Sequence, residues 1–331
     1  MSVDLWVWGV TIAVIIGLLI FDFFAHVRVP HEPSMREAAW WSAFYISIAL
    51  VFGGVVWAFW GATFGGEYFV GFVTEKSLSI DNLFVFLIIM SSFKVPRAYQ
   101  QKVLMVGIIA ALVLRGIFIA IGATAIEQYS WIFYIFGAFL IYTAYKLAVD
   151  SSHTSAEDEH YENAMIRFVQ RVVPTTDAYH SDRLTVKIEG KRVITPMLIV
   201  MLAIGSADLL FAFDSIPAIF GLTQEPYIVF TANAFALLGL RQLFFVIGGL
   251  LDRLVYLSIG LAFILAFIGL KLFFHALHVN ELPFINGGEN VDWAPEINPW
   301  LSLSIIVGAV IVATVASLAK TRSDERNSDQ I

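Results

Sequence analysis

The 331-residue chain has no cysteine. Disulfides, thiolate metal sites and cysteine nucleophiles are excluded, so any metal must be held by oxygen or imidazole. Charge is scarce, at 14% of residues. Phosphate-binding glycine loops, dinucleotide fingerprints and nucleophile elbows are also missing, so no enzyme reading and no prosthetic group is expected. A formal net charge of -7 says little about partners, and nothing points to nucleic acid.

What is abundant is apolar sequence: 59% hydrophobic residues, with a mean hydropathy of +0.78. The runs are long enough to cross a hydrocarbon layer of about 30 Å. The expectation is an all-α polytopic membrane protein with about nine transmembrane helices, near residues 5–25, 38–60, 66–91, 102–123, 129–149, 196–222, 226–249, 253–274 and 300–319. The first run lacks a basic region before it and a small-residue cleavage site after it, so it reads as a retained span. Lys and Arg segregate completely into alternate connections: Arg28 and Arg36; Lys94, Arg97 and Lys102; Lys146 through Arg192; Arg253; and Lys320, Arg322 and Arg326. The connections near Glu67, Glu127 and Glu225, and from Asn280 to Pro299, contain neither. An amino terminus outside and a carboxyl terminus in the cytoplasm follow.

Residues 115–122, Arg-Gly-Ile-Phe-Ile-Ala-Ile-Gly, match residues 241–248, Arg-Gln-Leu-Phe-Phe-Val-Ile-Gly. Lys146 and Lys271 stand at similar distances beyond them, and acidic segments precede both copies. This pattern predicts two three-helix units, about 66–149 and 196–274, within one transmembrane domain spanning about 1–320. A cytoplasmic loop covers about 150–195 and a tail about 321–331. Three crossings per unit invert the second copy, an architecture that transporters use around a midplane site.

Each copy places two carboxylates six residues apart in apolar surroundings, Glu75 and Asp81 in the first, Asp208 and Asp214 in the second. Ionisable groups at membrane depth are costly and mark function. On a regular helix, six residues leave the pair about 120° apart, so a local interruption is expected there. Pro217 would assist it by removing one backbone bond. Additional candidate ligands are Asn82, Ser79, Ser206, Ser215 and Asn233, although an interhelical hydrogen bond is the simpler reading of Asn233. Arg115 and Arg241 are expected as charge-balancing or gating residues, with Lys76 altering the count. The four acids and two arginines sum to minus two, the charge one divalent cation neutralises. Oxygen donors suit hard ions such as Mn²⁺, Ca²⁺ or Mg²⁺. The competing reading makes the acids buried salt-bridge partners that fix helix packing. Asp22 is ambiguous. His275 and His278 are three apart and read more simply as interfacial than as a metal pinch, while the acidic, His-flanked segment 153–160 reads as a solvated loop.

The segments Glu75-Lys-Ser-Leu-Ser-Ile-Asp81-Asn82 and Phe213-Asp214-Ser215-Ile-Pro217-Ala-Ile-Phe220 resemble the TerC family of integral membrane proteins. The likeness extends through Asp22, the His31-Glu32 region, residues 136–139 and residues 233–241, covering about 15–275. It implies a bacterial inner-membrane protein of the LysE-like transporter superfamily, linked to tellurite resistance and, in several members, to Mn²⁺ efflux. It selects the same Glu75, Asp81, Asp208 and Asp214 as metal ligands. Many relatives carry Glu where this chain has Gly205. The resemblance also admits a non-transporting scaffold in tellurite or metal stress, or one that meets the Sec translocon or exported metalloproteins through the long basic loop.

Overall fold

A computed structural model describes residues 1–27, 31–129, 131–150, 179, 183–188, 191–247, 256–291, 293–295 and 297–328, without the side chains of 81, 84, 88, 92, 127, 150, 188, 191, 192, 210, 213, 214, 247 and 322–328. Ten α-helices are present among the described residues: α1 (Leu5–Asp22), α2 (Met35–Trp60), α3 (Ala62–Ser92), α4 (Arg97–Gln128), α5 (Ile132–Asp150), α6 (Pro196–Phe220), α7 (Pro226–Leu237), α8 (Leu240–Ile247), α9 (Leu257–His278) and α10 (Pro299–Ser328). Each predicted span coincides with one of these, or with the pair α7–α8. Among the described residues six helices are long and apolar enough to cross a membrane unaided, and a seventh crossing results if α7 and α8, bent by 40°, count as one broken span. In α6 the described residues 196–209 form an apolar stretch too short by itself to cross.

Local chemistry explains the boundaries. Helix α2 starts where Ser34 accepts the Glu37 N–H at 3.2 Å, a capping serine with Glu three residues on. Helix α6 starts with Pro196 at its first position, where the missing N–H costs nothing. Helix α10 continues through most of the predicted tail, to Ser328. Of the predicted loop 150–195, the described part holds Tyr179 and a two-stranded antiparallel hairpin, β1 (Thr185–Ile188) and β2 (Lys191–Ile194), with Thr185 opposite Ile194. The Tyr179 hydroxyl donates to the Phe93 carbonyl at 2.9 Å, and burial pushes its phenol up to about 12. The segment 153–160 lies outside the described residues.

Helix α4 shows how the bundle sorts its faces. Val106, Ile109, Val113, Ile117 and Ile121 form one exposed apolar stripe, while Leu104, Ile108, Ala111, Arg115 and Ile119 form a buried one. Such an exposed stripe needs lipid as its solvent, and the buried one delivers Arg115 to the interior. Helix α3 packs on α7, α4 on α6, and α5 on α9, so the helices of the two predicted units pair first with second, second with first, and third with third. The α5–α9 crossing is glycine against glycine: a Cβ built on Gly269 would lie 3.0 Å from the Gly137 carbonyl oxygen, and one on Gly137 equally close to the Gly269 oxygen.

The two ends of the bundle differ. Where α3 begins, Glu67 accepts from the Thr223 hydroxyl at 2.6 Å, and the Trp57 and Trp300 rings lie 5.0 Å apart. At the other end Arg97 donates to Glu32 at 2.6 Å, near Lys94 and Lys102. Below, these are the acidic and the basic end.

Candidate functional site

In α3 the residues Tyr68, Phe72, Glu75, Ser79, Asn82 and Phe86 fall on one buried stripe, and in α6 Met201, Ile204, Asp208, Ala212, Ser215 and Ile219 do the same. Both follow the three-and-four spacing of a helix face turned to the core. Glu75 and Asp208, one from each unit, meet the same cation. Arg115 Nη1 donates to Glu75 Oε2 at 2.7 Å, and Nη2 stands 3.5 Å from Asp208 Oδ1. All three residues are 1% exposed.

This trio is incompletely satisfied. Glu75 Oε1 and Asp208 Oδ2 are buried without a hydrogen-bond partner among the described residues, as are Arg115 Nε and Nη2, Ser79 Oγ, Ser215 Oγ and Asn233 Nδ2. Asn233 on α7 lies beside the Glu75 carboxylate. An unpaired buried polar atom costs about 1–3 kcal/mol and more when charged, so several on facing helices mark a place built for something besides the chain itself.

The backbone also corrects an expectation. Helices α3 and α6 run uninterrupted through both acidic segments, Pro217 included. Asp81 and Asp214 therefore keep their helical register about 120° from Glu75 and Asp208. Their side chains lie outside the described residues. Among the described residues no group of three or more His, Asp or Glu gathers as a metal cluster. The interruption sits instead between α7 and α8, where Leu238 is extended and Gly239 has φ +78°. Lys76, next to Glu75, donates to the Ala236 carbonyl at 3.0 Å, in the last turn before that break. Ser206 is occupied with its own helix, donating to the Ala203 carbonyl at 2.9 Å. A Cβ on Gly205 would meet nothing within 4 Å among the described residues, so a larger residue fits there.

Arg241 differs from its expected role beside the four acids. It makes a two-pronged contact with Asp22 of α1, Nε to Oδ2 at 3.2 Å and Nη2 to Oδ1 at 2.7 Å, while Nη1 donates to Gln101 Oε1 of α4. Gln242 donates to Asp22 at 2.8 Å, and His26 Nδ1 lies 3.3 Å from the same carboxylate. The planar guanidinium fits a carboxylate bidentately, and Asp22 is the acid within reach. Sequence reading left Asp22 open and missed Gln101 and Gln242; the available signal was polar residues inside apolar runs.

The remaining candidates separate. His275 faces Gln224, with ring nitrogen and amide 2.5 Å apart, and packs edge-on against Phe133, whereas His278 Nε2 lies 2.7 Å from the Ala294 carbonyl. The two rings have separate partners. At the acidic end a cavity of about 280 Å³ is lined by Glu67, Thr223, Gln224, Glu225, Lys271 and His275 among others.

The sequence model described as the integral membrane protein TerC family matches residues 60–325. An uncharacterized membrane protein of Mycobacterium tuberculosis is 49% identical over 323 residues, covering 97% of this chain and 81% of that one. Another from Myxococcus xanthus is 38% identical over 315 residues, covering 95% and 92%. A protein of Escherichia coli K12 named as a candidate membrane-bound redox modulator, Alx, is 37% identical over 274 residues, covering 80% and 84%. No solved structure matches. The chain belongs to the TerC family of integral membrane proteins.

Proposed function

We propose that this TerC-family protein is a transporter that carries a hard divalent cation, Mn²⁺ first, out of the cytoplasm of a bacterium across its inner membrane. The observation that carries the reading is a pair of under-used carboxylates: Arg115 donates to one oxygen of Glu75 and stands 3.5 Å from one of Asp208, and beyond Asn233 beside Glu75 the other two oxygens are buried with no hydrogen bond among the described residues. A cation is the occupant such oxygens favour. The charge balance supports a divalent one. With Arg241 taken by Asp22, a formal count of Glu75, Asp81, Asp208 and Asp214 against Arg115 and Lys76 gives minus two. Oxygen donors without cysteine suit Mn²⁺, Mg²⁺ or Ca²⁺ over softer ions. Carboxylates that release a metal accept protons, so the outward step is coupled to proton entry.

In this reading nine crossings comprise two inverted three-helix units, with the amino terminus outside, and the units alternate access to the site. The pairing of α3 with α7, α4 with α6 and α5 with α9 supports a two-fold relation. A second reading has support of its own. The Glu75–Arg115–Asp208 trio ties α3, α4 and α6 together, and a relative's name refers to redox modulation, both compatible with a membrane scaffold that carries no ion.

The deciding experiment measures total manganese by elemental mass spectrometry in a manganese-loaded, export-deficient host. It compares the native protein with Asp208→Asn and Asp81→Asn at matched membrane abundance. Lower manganese with the native protein alone supports acid-dependent efflux. Equal manganese in all three turns the reading to the scaffold.

A further inference from the structure

The described residues of α8, 240–247, follow directly on the break beside Lys76 and are tied to two other helices. The last backbone bond of α7, Leu238 N–H to the Ala234 carbonyl at 3.0 Å, and the first of α8, Leu243 N–H to the Gly239 carbonyl at 3.0 Å, stop on either side of the break. Gly239 is fitted to its place: its φ of +78° is left-handed, and a Cβ there would lie 2.8 Å from Tyr45 Cβ. Arg241 and Gln242 then tie α8 to α1 through Asp22, and Arg241 ties it to α4 through Gln101.

These contacts lie toward the basic end, and they are tight. The cavity among His26, Trp41, Gln101, Arg241 and Gln242 is about 10 Å³, room for about one water. Among the described residues the acidic end, in contrast, opens into the 280 Å³ cavity. From these observations we infer that α8 is the gate on the basic side of the cation site, hinged at Gly239 and latched shut by Arg241 on Asp22 and Gln101; this rests on the transport reading above. The chemistry suits a latch. A buried guanidinium–carboxylate pair is held firmly while dry, because separating it in low dielectric strands two charges, whereas opening admits water that solvates both. Lys76 links site to hinge, since it follows Glu75 in the chain and donates to Ala236 just before the break.

The absence of cysteine supplies the test. Ser79 is 0% exposed and lies one turn from Glu75 in the direction of the basic end, so Ser79→Cys reports access from that side. The full-length protein in oriented vesicles is treated with a membrane-impermeant thiol reagent on one face at a time, without manganese. Adding Asp22→Asn or Arg241→Gln is expected to speed labelling from the basic face about 10- to 100-fold, the factor that loss of one charge-assisted hydrogen bond gives. The swapped pair Asp22→Arg with Arg241→Asp is expected to restore protection. Unchanged rates in both single variants overturn the latch. Acceleration from both faces, or acceleration that the swapped pair leaves in place, reports loosened packing and overturns it too. Because labelling needs no transported ion, a failed latch is distinguishable from a failed transport reading.

Discussion

Replacing Arg115 by Met separates a cation site from a packing device. The change removes the only positive group in contact with Glu75 and Asp208 among the described residues, at a place where all three are 1% exposed. Breaking a buried ion pair by deleting one partner costs about 3–5 kcal/mol, because the orphaned charges remain out of water. At about 2–4 °C per kcal/mol for a large domain, the melting temperature in detergent falls by roughly 6–20 °C. If the carboxylates form a cation site, Mn²⁺ takes the place of the guanidinium. At a hundredfold excess over Kd it returns about 2.7 kcal/mol. The native protein gains less, since there the ion competes with Arg115 for the same oxygens. Thermal unfolding followed by fluorescence, with and without MnCl₂, reads the difference. The triple variant with Glu75→Gln and Asp208→Asn added should recover most of the loss and lose the response to Mn²⁺. If Mn²⁺ stabilises Arg115→Met no more than the native protein, while mild acid restores it, the carboxylates are counter-ions for packing and the transport argument fails.

Three further outcomes follow from the same geometry. Gly205→Glu should fold normally, since its Cβ meets nothing within 4 Å, and should tighten Mn²⁺ binding by calorimetry; an unchanged Kd in the folded variant removes that position from the site. Gly269→Val should destabilise by about 1–3 kcal/mol or more, because even a Cβ stands 3.0 Å from the Gly137 carbonyl, and a melting temperature equal to the native one would show the α5–α9 crossing to be loose. Ser34→Ala should cost about 1 kcal/mol through the lost cap on α2, and Ser34→Asp should restore it, both read by thermal unfolding.

Much of the architecture was legible because hydropathy acts locally. Every described α-helix lies where an apolar run predicts one, and Glu75 and Asp208 stand on buried stripes that their spacing defines. The partner of Arg241 was not legible. Asp22 is 219 residues away, and nothing local distinguishes it from the other acids as the one a guanidinium reaches. The break was misplaced for a different reason. Pro217 looks like an interruption, yet a membrane helix tolerates proline where neighbours re-satisfy the freed carbonyl, and α6 continues through it. The actual break has only Gly239 to announce it, and a lone glycine inside an apolar run reads equally as close packing. The β1–β2 hairpin is hard to read from sequence although Val186, Ile188 and Val193 flank Glu189-Gly190 with strand-like alternation, because its basic flanks give the whole segment the composition of a solvated loop.

The family match begins at residue 60, which leaves α1 and α2 outside it. Yet the counter-charge of Arg241, well inside the matched region, comes from Asp22 on α1. The matched unit is thus not electrically self-contained: severed at residue 60, it retains a buried guanidinium whose neutraliser has been discarded. The first helix touches the rest through Trp8 and Thr11 near one end, against Tyr227, and through Asp22 at the other, so only its second attachment carries charge into the matched region.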